Sequence, residues 1–318
     1  MLSRSAEDLY WMARYIERAE NTARTLDVSN RMAVLPTALG STSLQWRPAL
    51  EIGPDPTAFY DRYGEASPKN VIVYMALDPD NPSSIWSCLR AARENARAER
   101  SAISGEMWES LNSTWLEIKN LDFAGLETWG YRKFFDWIKE RSHLFRGVTF
   151  GTLLQDDGFH FVRLGTFLER ADNTARILDV KYHVLLPRPE DVGGAIDYYQ
   201  WGALLRSVSA FSSYRRVYRD SITPKRVAEL LILNAQMPRS LLASHDMIAT
   251  TLDALAGGRR LECRRLAGEI HATLEYGRID QIFARGLHEF LDAFVLSNNH
   301  LGEQIQQDFI MSDVVVVD

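Results

Sequence analysis

Two cysteines, Cys88 and Cys263, are all that 318 residues contain. They are far apart and lack metal-ligand spacing, which excludes a disulfide framework and reads as two reduced structural thiols. The seven histidines are scattered. No His-Glu-x-x-His helix occurs, and the two Glu-x-x-His segments that a di-iron bundle needs are not there; His300 followed by Glu303 runs in the reverse order. No metal or cofactor is therefore expected. There is no glycine-rich phosphate loop and no Gly-x-Ser-x-Gly elbow, so nucleotide-fold and serine-hydrolase chemistry lack their signatures. The chain has no basic surplus, its net charge being −6, which argues against nucleic acid as a partner. No apolar run approaches the roughly 18–20 residues that span a bilayer. The first residues carry no apolar signal core, so no membrane association is expected and the expected location is cytoplasmic. Strand-type alternation is also missing, and the fold class expected is all-α.

What is present is a repeat. Glu17-Arg18-Ala19-Glu20-Asn21-Thr22-Ala23-Arg24-Thr25-Leu26-Asp27-Val28 returns as Glu169-Arg170-Ala171-Asp172-Asn173-Thr174-Ala175-Arg176-Ile177-Leu178-Asp179-Val180, 152 residues later. Such an offset is too long for a solenoid and reads as duplication of a domain-sized unit. The bundle is accordingly divided into two pseudo-symmetric halves, residues 1–155 and 156–318. Loops repeat as well as helices. Ser67-Pro68-Lys69 matches Thr223-Pro224-Lys225, Pro82-Ser83-Ser84 matches Pro238-Arg239-Ser240, and Trp46 matches Trp201. Other expected elements are short helices around 44–50 and 57–63, a helix from Ser83 to Ser104, another opening at Gly105 and echoed at Gly268-Glu269, and closing helices over 128–153 and 281–309. The apolar tail Val314 to Val317 is too short to assign, with a strand and a docking tail both left open.

Wound as a helix, the first copy puts Met12, Ile16, Ala19, Ala23 and Leu26 on one arc and Arg14, Glu17, Glu20, Asn21, Arg24 and Asp27 on the other. The second copy keeps the same residue types on its polar arc. A solvated face needs only charge, so this recurrence points to a buried or cleft-lining face whose charges must be paired. The alanines on the apolar arc allow the two copies to cross closely near a pseudo-twofold axis. Two readings stay open. In one, Glu17 and Glu169 meet in a cleft with Arg18, Asn21, Arg24, Arg170, Asn173 and Arg176, offering carboxylates for an amine or for acid–base work and guanidinium forks for a carboxylate. In the other, each Glu pairs with an Arg to lock the central helices. Glu94, Asn95 and Arg97 have no counterparts in the second half and would make the cleft lopsided. His160 and His183 flank the second copy. Trp46, Phe59, Tyr60 and Tyr63 read as packing rather than a ligand cage.

Glu17-Arg18 and Glu169-Arg170, with Ala92-Arg93-Glu94-Asn95-Ala96-Arg97, Glu106-Met107-Trp108-Glu109 and Asp157-Gly158-Phe159-His160-Phe161, make the whole chain resemble the bacterial Alpha-E family. The resemblance implies a helical cytosolic protein whose genes adjoin or are fused to an ATP-grasp ligase, often with a transglutaminase-like peptidase nearby. It maps the family's motif residues onto Glu17, Arg18, Glu94, Arg97, Glu106, Glu169 and Arg170. The functional expectation is an accessory or substrate-presenting subunit of an amide- or peptide-bond-forming system that binds a peptide, an amino acid or the ligase. The alternatives are an enzyme using Glu17 or Glu169 as acid or base, and a purely structural interaction module.

Overall fold

The computed structural model describes residues 3–33, 42–51, 56–184 and 194–311, and among these every regular element is a helix. The first eight are α1 (Ser3–Ala33), α2 (Thr42–Glu51), α3 (Thr57–Tyr63), α4 (Pro68–Ile72), α5 (Ile85–Ala98), α6 (Gly105–Ile118), α7 (Phe123–Trp129) and α8 (Tyr131–Thr152). A π-helical turn, Val73–Leu77, extends α4. The next eight are α9 (Asp157–Val184), α10 (Ala195–Ser207), α11 (Phe211–Tyr218), α12 (Pro224–Ile232), α13 (Leu241–Ala256), α14 (Glu262–Glu275), α15 (Ile279–Arg285) and α16 (Leu287–Phe309). The tail at 314–317 and the side chain of His183 lie outside the described residues.

Local chemistry starts and stops these helices. Ser67 and Thr223 each accept a backbone N–H bond at the head of α4 and α12, with Pro68 and Pro224 at the first helical position, where a missing N–H costs nothing. Ser84 and Ser240 cap α5 and α13 and also donate to the carbonyls of Asp78 and Asn234, at 2.7 and 2.6 Å. The backbone N–H groups of Asp80 and Gln236 bond the side chains of the same two residues, both at 2.9 Å. Gly130 and Gly286, with φ of +89° and +103°, break α7 from α8 and α15 from α16 in a conformation that side chains rarely adopt. Matching caps and breaks thus recur 156 residues apart, at α4 and α12, at α5 and α13, and between α7 and α8 and between α15 and α16.

Two expected boundaries differ. The helix expected over Ser83–Ser104 ends at Ala98, because the Ser104 hydroxyl caps α6 instead. Gly268 lies inside α14, which opens at Glu262, so Glu262 and not Glu269 stands opposite Glu106 in the first turn. The expected echo was displaced by seven residues, two helical turns, a shift that leaves the helix face unchanged.

Helices α1 and α9 run along one another at the centre. Around α1 stand α2, α5, α8 and α10; around α9 stand α13, α16, α10 and α2. The apolar arc of α1 is buried, Met12, Ala23 and Leu26 at 0% exposure. It shares one core with Leu168 of α9, Ile248 of α13 and Leu301 of α16. Leu178 joins a second core with Trp201, Leu231, Leu241 and Leu291. Trp46 and Phe59 are buried, and Phe59 packs against Tyr63 and Tyr74 at 5.4 and 5.3 Å, which is packing, not a cage.

Of the alanines on the apolar arc, Ala19 packs towards helices other than α9. Ala19 shares a small internal cavity with Leu89 of α5, Leu111 of α6 and Ile138 of α8. The close approach to α9 is made at Gly165, where an added Cβ would stand 2.2 Å from the Tyr10 carbonyl oxygen, and by the charged faces.

Candidate functional site

The polar arc of α1 is as buried as the apolar one: Glu17 is 1% exposed, Glu20 0%, Asn21 2% and Arg24 3%. Burial on that scale requires pairing, and two separate clusters supply it. In the first, Arg170 of α9 grips Glu17 through Nε and Nη2, both at 3.0 Å. Arg146 of α8 adds a bond at 2.8 Å and Arg239, from the turn before α13, one at 3.0 Å. Arg239 also donates to the Asn21 side chain at 3.1 Å and to Glu20. Glu20 further accepts from Arg24 and from Ser142, at 2.6 and 2.7 Å. Arg24 spends its remaining nitrogen on the Ser207 carbonyl and the Ser209 hydroxyl. Two carboxylates and four guanidinium groups thus close on themselves as a lock.

The second cluster is built from the other copy. Glu169, 3% exposed, is gripped by Arg18 through Nε at 2.6 Å and Nη2 at 3.0 Å, and by Arg14 at 2.8 Å. Arg14 also donates to the Tyr10 hydroxyl. Asp172 receives Arg176 at 2.7 Å on one oxygen, and its other oxygen, Oδ1, is buried with no hydrogen-bond partner. The Asn173 amide bonds the Glu169 carbonyl at 2.8 Å. This cluster is not closed. Arg14, Arg18, Glu169, Asp172, Asn173 and Arg176 form one wall of a cleft of about 480 Å³. Thr22, Asn81, Ser83, Asn299 and the π-turn residues Tyr74 and Met75 line it too, and an apolar side comes from Ala49 and Leu50 of α2, Pro56 and Ala58 at α3, and Pro82. Single π turns inside helices are frequent at functional sites, and the corresponding helix α12 has none.

The electrostatics separate the carboxylates. Burial alone would raise Glu17, but Arg170, Arg239 and Arg146 outweigh it and bring its pKa down to about 2. Glu169 is likewise raised by burial and then carried down to about 2 by Arg18 and Arg14. Glu20 lies well below its usual range for the same reason. Asp172 goes the other way: burial raises it, and Arg176 offsets this only in part.

The site expected from sequence is therefore split. Glu17, Asn21, Arg24 and Arg170 belong to the lock, whereas Arg18, Glu169, Asn173 and Arg176 line the cleft. Glu17 and Glu169 do not share one centre as a catalytic pair. Arginine donors surround each and favour its ionised form. Glu94 pairs with Arg93 and Arg97 on the outer side of α5, and Arg97 is 66% exposed. Glu106 is exposed in the first turn of α6, and half-buried Asn95 is not among the cleft residues. These three charges and Asn95 stand outside both clusters, because α5 turns its apolar arc, not this one, towards α1. His160 packs beside Phe159 at the start of α9, away from the cleft. Sequence reasoning passed over Arg146 and Arg239, which come from distant elements. The substitution of Ser83 by Arg239 between the two matching turns was the available signal for the second of them.

Among the described residues no group of three or more His, Cys, Asp or Glu side chains stands ready for a metal ion, and no helix is long and apolar enough to cross a membrane.

Uncharacterised proteins of Mycobacterium bovis and Mycobacterium tuberculosis are 24% identical over 89% of this chain. The chain spans only 34% of the length of those relatives. No solved structure matches. The model of the Alpha-E family, a predicted alpha-helical domain with a conserved Glu-Arg motif, matches residues 1–310, and two Glu-Arg pairs, Glu17-Arg18 and Glu169-Arg170, cross-link the central helices. The chain belongs to the Alpha-E family.

Proposed function

We propose that the chain is a binding and presenting protein: its cleft holds an amino acid or peptide for an amide- or peptide-bond-forming system of the ATP-grasp type. The observation that carries this is the mixed polarity of the cleft wall. Among the described residues, Nη1 of Arg18 and both terminal nitrogens of Arg176 make no hydrogen bond, while Asp172 holds an acceptor with no donor. Donors for a carboxylate and an acceptor for a cationic nitrogen in one cleft suit a zwitterion. A volume of about 480 Å³ accommodates an amino acid or a short peptide.

A role in presenting substrate, rather than in acid–base catalysis on it, is supported by the arginine pairing of both carboxylates, Glu17 inside the lock and Glu169 under Arg18 and Arg14 in the cleft wall. Partnership with an ATP-grasp ligase, and with a transglutaminase-like peptidase, is part of the same proposal. Its support is indirect: about two thirds of each mycobacterial relative lies beyond the segment this chain matches, as befits one part of a larger assembly.

The test is a thermal-shift and calorimetry panel of free amino acids and di- and tripeptides. At least one zwitterionic ligand raises the melting temperature, and Arg176→Ala with Asn173→Ala removes the shift while leaving the free protein folded. A panel in which no member binds overturns the proposal.

A further inference from the structure

The lock and the cleft occupy equivalent places, and comparing them position by position shows what the cleft is short of. Within the central helices Glu17, Arg18, Glu20, Asn21 and Arg24 correspond to Glu169, Arg170, Asp172, Asn173 and Arg176. The turns before α5 and α13 correspond through their shared serine caps, so that Ser83 stands where Arg239 does. Counting from Gly130 and Gly286 along α8 and α16, Gly302 stands where Arg146 does.

The lock has four cations, Arg170, Arg146, Arg24 and Arg239, around Glu17 and Glu20. Three have a replacement in the cleft. Arg18 grips Glu169 as Arg170 grips Glu17, and Arg176 pairs with Asp172 as Arg24 pairs with Glu20. Arg14 takes the part of Arg146: it bonds Glu169, and its Nη1 lies 3.8 Å from where a Gly302 Cβ would be. Only Arg239 has none. Ser83 lines the cleft but is too short to reach the acceptors that Arg239 satisfies across the way. In the lock those acceptors are Glu17, Glu20 and Asn21; their counterparts are Glu169, Asp172 and Asn173, and Asp172 is the one left with an unpaired oxygen. The backbone repeats the difference. The Thr174 hydroxyl bonds the Arg239 carbonyl at 2.9 Å, whereas Thr22 and Ser83 both face the cleft.

Resting on the amino-acid or peptide reading above, we infer that the cleft is selective for a guanidinium group, carried by free arginine or by an arginine side chain of a peptide. That group takes the place Arg239 holds in the lock and donates to Asp172, Asn173 and Glu169. A planar fork fits better than a compact ammonium, because in the lock two separate nitrogens of one guanidinium serve three acceptors on successive turns of a helix. The charge balance agrees. A bound guanidinium brings the cleft to two carboxylates and four cations, the composition the lock already sustains.

The decisive measurement is calorimetric titration of the protein with L-arginine, L-citrulline, agmatine and the peptide Gly-Arg-Gly. Citrulline keeps the shape and loses the charge. L-arginine or the peptide binds at least ten times more tightly than citrulline; the stronger of the two identifies free or peptide-borne arginine as the source, and agmatine shows whether the α-carboxylate contributes. Equal binding of arginine and citrulline overturns the guanidinium inference and leaves the zwitterion reading standing, while no binding by any amino acid or peptide overturns both. Two variants add an independent readout. Ser83→Arg rebuilds the lock in the cleft, raises the melting temperature and abolishes arginine binding. Asp172→Asn lowers arginine affinity at least tenfold and leaves citrulline affinity within twofold. Undiminished arginine binding by a folded Ser83→Arg protein overturns the inference.

Discussion

A carboxylate such as Glu17 illustrates why a buried ion pair stabilises little when intact and costs much when broken. Burial, with neighbouring guanidinium groups, lowers Arg170 and Arg239 below the ordinary arginine range even with Glu17 and Glu20 beside them, so desolvation offsets the attraction between the partners. Removing one charge leaves the desolvation without its compensation. Glu17→Gln therefore destabilises the protein by about 3–5 kcal/mol, read as a fall in the urea midpoint. Glu94→Gln, on the outer side of α5, changes stability by less than about 0.5 kcal/mol. Acid acts on the same groups. The folded-state pKa of Glu169, about 2, lies below its ordinary value of 4.5, so its contribution is fully present above pH 4.5. It drains as pH falls from there towards 2, and amounts to roughly 3 kcal/mol. Unfolding followed against pH shows the loss on the acid side; stability that held level down to pH 2.5 would refute this assignment.

At the scale of elements, the pairing of α1 with α9 depends on one missing side chain. Gly165 has an ordinary helical φ, so its value lies in space and not in backbone freedom. The Tyr10 carbonyl oxygen occupies the position an alanine Cβ would need, and because that obstacle is backbone the helices themselves must move. Gly165→Ala costs about 3 kcal/mol by overpacking, although alanine is intrinsically the better helix former by roughly 1 kcal/mol. Gly147, with nothing near it, is the control: Gly147→Ala is stabilising. The same displacement at Gly165 would shift Arg14 and Arg18 against Glu169, so the variant also loses cleft binding, measured by the amino-acid panel.

The whole molecule distributes each cluster across both halves of the sequence. Glu17 and Glu20 come from α1, Arg170 from α9, Arg239 from the turn before α13 and Arg146 from α8; the cleft draws on α1, α2, α3, the π turn, the turn before α5, α9 and α16. One apolar core likewise takes residues from Ala6 to Ile305. A fragment of residues 1–155 retains Glu17 and Glu20 but loses Arg170 and Arg239, and exposes the apolar residues that α13 and α16 cover. Such a fragment gives a helical circular-dichroism spectrum without a cooperative thermal transition. A sharp transition for the fragment alone would show that the cross-half ion pairs are dispensable for folding.

The helices were legible in the sequence, because helix periodicity, serine and threonine caps, proline at first turns and glycine breaks all act within a few residues. It also marked the polar arc of α1 and α9 as worth pairing, since identical residue types in both copies, Glu17-Arg18 and Glu169-Arg170 above all, demand more than solvation. That one copy is closed and the other lines a cleft follows from long-range packing alone. The two motifs are nearly the same locally, and their difference comes from Arg146 and Arg239 reaching one copy while Arg14 and Ser83 face the other. Those contacts join residues more than a hundred positions apart, and no local pattern encodes which side chain will be long enough to fill a space that the packing of other helices creates. For the same reason Glu94, Asn95, Arg97 and Glu106 carried a strong motif yet stand outside the site: periodicity sorts a helix into faces, but the neighbours decide which face meets the centre.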